Sequence, residues 1–281
     1  MRLLIILGFI VLACGSPTTN SSSGKYSVGL HRALKISIGH EDLTHYAAID
    51  ANMLLGRYLF PVHGHVLGET AGIVSENALI RGNYLTDRPL DRRDGEIDFE
   101  AIIGRDISSN FAWHDISDSY AFHFLRRIRP LQDARDACLE AQDRVVELTE
   151  MGLSVYGEDL DLAMNYFGAA THIIQDSFSK AHSVRLGGEV LDVCTFGEEY
   201  SGVCYHSMLD AASEDMIYKS RVGVPVGVER VKGNLKDDAL MAVEASSEYL
   251  MVVGLGLVGD GGVDLDRVFL EYLVCKSPNN Q

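Results

Sequence analysis

Proline is scarce in this chain, with six in 281 residues, and tryptophan occurs once, at Trp113. So few helix breakers, beside long segments with apolar residues at helical spacing, favour a mostly helical protein. Basic residues are also in short supply: 24 lysines and arginines stand against 40 aspartates and glutamates, a formal charge of −16. That deficit argues against broad, sequence-independent binding to a phosphate backbone. Divalent cations can reverse the field of an acidic cleft, so a nucleic acid stays open as a substrate. The five cysteines include no C-x-x-C pair, which disfavours a four-cysteine zinc site. No internal repeat is visible. Against these absences, 47% of the residues are hydrophobic, enough for a sizeable core and too many for general disorder.

The N-terminal "MRLLIILGFIVLAC" combines Arg2 with an apolar run from Leu3 to Ala13, long enough for a signal segment and too short to span a bilayer. Val11-Leu12-Ala13-Cys14-Gly15 resembles a bacterial lipoprotein signal in which Cys14 is lipidated. The expected organisation is a signal over residues 1–13, a flexible tether over 14–24 ("SPTTNSSSG" within it) and one helical domain over 25–281. Such a protein would be exported and held on a bacterial membrane, at the outer membrane or cell surface, through acyl chains on Cys14. In an oxidising compartment the remaining cysteines form pairs, and Cys194–Cys204 with Cys138–Cys275 is the pairing favoured among three.

Helical periodicity runs through "EDLTHYAAIDANMLLGRYL", "RDACLEAQDRVVELTEMGL", "DLDLAMNYFGAATHIIQDSF", "DDALMAVEASSEYLMVVGLGL" and "DLDRVFLEYLVC". Residues 60–120 read as loops and short helices, and Leu186 to Tyr205 as a disulfide-pinned loop. The glycines at 254, 256 and 259 fit G-x-G-x-x-G literally, but they follow a helix instead of a strand and read as a helix stop. "DGGVDLD" lacks the spacing of a calcium loop and reads as a turn.

The chemistry lies in "THIIQDSFSKAHS". His172 and Asp176, four residues apart, share one helix face, and an imidazole with a carboxylate suits zinc. His182 falls about 80° away on an uninterrupted helix and so suits a neighbouring ion. His206 and Asp210 repeat the i, i+4 pairing. Upstream stand Asp87 in "GNYLTD", His123 in "AFHFL", and His40 and His45 in "GHEDLTH"; "HGH" at His63 and His65 reads more as an exposed loop than as accessory ligands.

In this order the residues resemble the zinc-dependent phospholipase C and single-strand-specific nuclease superfamily. The resemblance implies an all-α fold, a single compact multi-helix domain with two or three zinc ions. Asp87, His123, His172 and Asp176 would hold one zinc, and His182, His206 and Asp210 a second. Asp176 would bridge to a third, to which His45 would contribute, with His40 as its rival. The family completes that third site with an N-terminal tryptophan, whereas this chain has only Trp113. Asp87 would also serve catalysis by orienting or deprotonating water. The implied function is a membrane-anchored zinc phosphoesterase, most like phospholipase C, cleaving a phospholipid or other phosphodiester. The alternatives are a single-strand nuclease of the same fold, for which nucleic acid is a substrate only, or a non-catalytic zinc-binding surface lipoprotein.

Overall fold

The computed structural model describes residues 36–37, 39–65, 75–87, 120–127, 131–195, 217–218, 237–259 and 262–276. The signal, Cys14 and the tether lie outside the described residues, as do Cys204, His206 and Asp210.

The described chain is mostly helical. α1 spans His40–Leu55, α2 Ala78–Asp87, α3 Ala134–Val155, α4 Leu160–Asp176, α5 Asp237–Leu257 and α6 Asp266–Tyr272. A 3-10 turn covers Tyr120–His123. α1 opens at Gly39, whose N–H donates to the Asp42 carboxylate at 3.0 Å, and two acidic residues in its first turn suit the helix dipole. It closes at Gly56, where φ is 61° and the left-handed conformation calls for glycine. α4 is capped by Asp159, whose carboxylate accepts from Leu162 N at 2.9 Å.

α4 sits at the centre. Every residue from Ala163 to Asp176 is buried, and the helix packs against α1, α2, α3 and α5. Its sequence explains this: alanines and a glycine let neighbours close in, and apolar residues face all sides. The closest approach is to α2, through two reciprocal glycines. A Cβ on Gly168 would stand 2.0 Å from Leu79 O, and one on Gly82 would stand 2.1 Å from Asn165 O. Backbone blocks both positions, so neither collision is relieved by a rotamer change. Gly168→Ala should therefore cost about 3 kcal/mol, at the upper end of overpacking penalties, by forcing the helices apart. Urea denaturation would read this as a lower midpoint.

α5 is long and apolar enough to cross a membrane by length and composition, at a mean hydropathy of 1.4 over its best window. Here it packs on α1 and α4 as a core helix. The helix runs through Gly254 and Gly256 to Leu257, so those glycines do not stop it as the sequence suggested. They make room instead: a Cβ on Gly254 would meet Leu55 at 2.5 Å, and one on Gly256 would meet Val263 at 2.3 Å. The stop comes at Gly259, with φ 76°.

Two small sheets complete the described structure. β1 (Ile36–Ser37) pairs antiparallel with β4 (Ile217–Tyr218). β2 (Ser183–Leu186) and β3 (Glu189–Val193) form an antiparallel hairpin around Gly187 (φ 59°) and Gly188, and β5 (Val274–Cys275) adds parallel to β3. This corrects the reading of a loop from Leu186: the turn residues are there, but the flanking four- and five-residue runs pair as strands. Cys138 on α3 is bonded to Cys275 on β5, as the sequence pairing anticipated. Cys194 is also disulfide-bonded; Cys204, its expected partner, lies outside the described residues.

Candidate metal centre

The last turn of α4 sets His172 and Asp176 on one side, with His172 Nε2 3.2 Å from Asp176 Oδ2. Three other segments bring imidazoles to the same carboxylate. His40, the first residue of α1, places Nε2 3.1 Å from Oδ1. His123, the last residue of the 3-10 turn, places Nδ1 3.4 Å from Oδ2. His182, in the turn after α4, places Nδ1 3.8 Å from Oδ2. All five residues are buried. The His40 and His172 rings lie 4.5 Å apart, and those of His123 and His172 5.3 Å.

Four imidazoles around one enclosed carboxylate form a donor set for a borderline divalent cation. A buried carboxylate needs a positive counterpart, and a cation shared among neutral imidazoles supplies one. The spacing fits as well. Two atoms bound to one tetrahedral zinc stand about 3.3–3.5 Å apart, close to the nitrogen–oxygen separations that His40, His123 and His172 make with Asp176. His40, His172 and Asp176 each offer a ligand atom within 4.8 Å of the others. The two carboxylate oxygens face different histidines, Oδ1 towards His40 and Oδ2 towards the rest.

His182 is oriented by the backbone. Its Nδ1 makes a short hydrogen bond with the carbonyl oxygen of His123. A carbonyl only accepts, so Nδ1 carries the proton and the lone pair resides on Nε2. The carbonyl is aimed by the next residue: Phe124 has φ 49°, a left-handed conformation in a buried aromatic. Phe124 packs into the core.

The sequence-predicted residues divide as follows. His123, His172, Asp176 and His182 come together, joined by His40. His45 does not reach Asp176: five residues after His40, it lies about 140° around the helix and faces His65, with ring centroids 5.5 Å apart. Of the two histidines in this segment it is His40 that lies beside Asp176. Asp87 ends α2, and its side chain is not among the described features. His206 and Asp210 lie outside the described residues.

His65 belongs to a loop, but its ring turns inward, with Nε2 2.7 Å from Asp42 Oδ1 and its side chain 2% exposed. His63, exposed, stacks on Tyr58 at 5.8 Å. Burial, with help from His65, holds the His45 pKa down at about 4, and Asp42 only partly offsets this. His45 Nδ1 is buried with no hydrogen-bond partner among the described residues. The folded state therefore resists protonating His45 while the unfolded chain accepts a proton near 6.5. Stability is full above about pH 6.5, falls by on the order of 3 kcal/mol as pH drops towards 4, and then levels. Denaturation midpoints across this window should show that slope, and His45→Asn should flatten it.

Sequence reasoning missed the polar pocket behind His40. Thr44, Asn83, Thr171 and Gln175 are fully buried and mutually hydrogen-bonded. The signal was present: Thr171 and Gln175 repeat, one residue earlier, the i, i+4 spacing of His172 and Asp176, and Thr44 stands four residues after His40. A separate groove of about 590 Å³ is lined by Phe178, Lys180, Arg185, Asp238 and Met241 among others, and by none of the five clustered residues.

No family model matches this chain, and no solved structure matches it. It is similar to hemolysin-1 of Aeromonas salmonicida, 32% identical over 122 residues, which is 40% of this chain and 21% of that protein. The chain thus spans about a fifth of that relative's length, a partial likeness between a mostly helical protein and one named as a hemolysin.

Proposed function

We propose that the chain is an exported zinc-dependent phosphoesterase of the phospholipase C and single-strand nuclease kind. The observation that carries this reading is the convergence of His40, His123, His172 and His182 on Asp176 from four separate segments inside a helical core. Imidazoles and a carboxylate are the ligand types that zinc takes, and here they are gathered within a few ångströms of one another.

His40 Nε2, His123 Nδ1, His172 Nε2 and the Asp176 carboxylate would hold zinc, with Asp176 shared between ions. His182, its Nδ1 committed to the His123 carbonyl, would bind through Nε2 to a second ion with His206 and Asp210. When bound, zinc supplies Lewis acidity and brings the pKa of its water down towards ~7. The chain's own part is to orient and exclude. α4 fixes the relative positions of His172 and Asp176, the Phe124 turn aims His182, and His123 is itself fully buried. Asp87, at the end of α2, would take the proton from the attacking water.

A phospholipid is the favoured substrate. The net charge disfavours nucleic acid, a Cys14 anchor would place the enzyme at a membrane, and the partial likeness to a protein named for lysing blood cells agrees with a lipid target. The test is zinc content together with hydrolysis of bis(p-nitrophenyl) phosphate, phosphatidylcholine vesicles and single-stranded DNA. Two or three zincs with vesicle cleavage support the proposal. Cleavage of DNA alone makes it a nuclease, and one zinc without turnover makes it a binding lipoprotein.

A further inference from the structure

α1 ends in an apolar tip that the metal centre does not use. His40 opens this helix and Met53 and Leu54 stand in its last turn, so the tip lies about 20 Å along the axis from the cluster. Met53, Leu54 and Tyr58 are 70%, 65% and 60% exposed, although burial of such side chains is favourable. Their neighbours turn the other way: Leu55 and Leu59 pack on the core beside Gly254. The backbone of the tip is pinned from two sides. Asn52 Oδ1 accepts from Leu59 N and Phe60 N, both at 2.9 Å, and its Nδ2 donates to Phe60 O at 2.8 Å. Asn77 Nδ2 donates to the carbonyls of Pro61 and His63 at 2.9 and 3.0 Å. The turn through the left-handed Gly56 is thus set before any contact, and little backbone freedom is left to lose on binding.

Charge at the tip runs against that of the chain. A sequence with 40 acidic residues in 281 and a formal charge of −16 has no aspartate or glutamate between Asp50 and Glu69. The one formal charge in that stretch is Arg57, which is exposed between Leu54 and Tyr58. Apolar side chains around a single guanidinium match the boundary where phosphate headgroups meet acyl chains. Methionine and leucine suit the acyl side, tyrosine suits the boundary itself, and arginine pairs with phosphate. Carboxylates, which phosphate would repel, are missing from this stretch.

We propose that the tip formed by Met53, Leu54, Arg57 and Tyr58 is a membrane-docking surface that enters the headgroup–acyl boundary of a phospholipid bilayer. Three apolar side chains bind weakly by themselves. An acyl anchor on Cys14 makes the contact intramolecular, so the tip sets how the domain stands on a surface to which it is already tethered. The inference goes beyond the phosphoesterase reading and does not depend on the cluster holding a metal.

The test uses the full acylated chain in phosphatidylcholine vesicles, with Trp113→Phe removing its only indole. In that background Tyr58→Trp puts a fluorophore on the tip, and Leu270→Trp puts one on α6 at a position 76% exposed. Bromine on the acyl chains should quench the emission of the Tyr58→Trp chain and leave that of the Leu270→Trp chain unchanged. Adding Met53→Asp and Leu54→Asp should abolish the quenching while the helical circular dichroism stays the same. Equal quenching of both chains, no quenching of Tyr58→Trp, or quenching that survives the two aspartates each overturns the proposal. A blue shift that fades as the chain is diluted among unbrominated lipid marks contact between copies and overturns it too. If Tyr58→Trp does not fold, Leu54→Trp reads the same surface against Leu270→Trp. Flotation reads the anchor: a chain that floats without quenching keeps the Cys14 reading and loses the tip, and a chain that does not float overturns both. Hydrolysis of dissolved bis(p-nitrophenyl) phosphate reads the phosphoesterase separately from the tip.

Discussion

Asp176→Asn is expected to lower zinc affinity by two to three orders of magnitude while the helical circular dichroism stays unchanged. The substitution keeps the shape of the side chain, so α4 retains its packing, and the amide can still hydrogen-bond to imidazoles. It removes the one negative charge at the focus of four histidines. Taking one partner from a buried charge pair costs about 3–5 kcal/mol, and each ~1.4 kcal/mol is tenfold in binding. Metal analysis of the purified variant should find it nearly empty after dialysis that leaves wild type loaded. Retention of wild-type zinc would mean that the cluster is a hydrogen-bonded core and not a metal centre.

Breaking the Cys138–Cys275 bond should be the largest single loss of stability. The bond joins positions 137 residues apart, and constraint of the unfolded chain over so long a loop corresponds to about 4–5 kcal/mol, a large share of a typical domain's stability. Its location adds to the effect. It fixes β5 to α3, where Gln142 Nε2 also donates to Leu273 O at 2.6 Å, and α3 is one wall of the groove that seats α4. A Cys138→Ala/Cys275→Ala variant should unfold at lower denaturant than wild type, and reductant should move the wild-type midpoint towards it. Coincident curves in reducing and oxidising buffer would contradict this.

The longer helices were legible because their apolar residues recur every three to four positions over fifteen or more residues. The hairpin was not: β2 and β3 are short, partly exposed strands around two glycines, and that composition also describes a loop. The i, i+4 pair His172 and Asp176 could be read directly, because helical spacing alone puts both on one face. Choosing between His40 and His45 could not, since either fits "GHEDLTH" until the phase of α1 against α4 is known. That phase is set by packing among α1, α4 and α5, which no local pattern encodes. His123 lies in a four-residue 3-10 turn with no period to read. The glycines at 82 and 168 gave no sign of marking one helix contact, because they are 86 positions apart and each meets the other helix's backbone only when the two helices cross.

The left-handed turn at Phe124 has a consequence for how mutations there would be noticed. Glycine at this position would relieve a backbone conformation costing a side-chain-bearing residue about 1–2 kcal/mol, and would empty a buried ring site at a cost of about 3–5 kcal/mol. The ring loss is the larger, so a thermal melt would register a net drop in stability. What would shift is the direction of one peptide carbonyl, and with it which way an imidazole fifty-nine positions later is held. A survey that scores variants by melting temperature would report only the lost packing, whereas one that scores them by bound metal would also report the carbonyl.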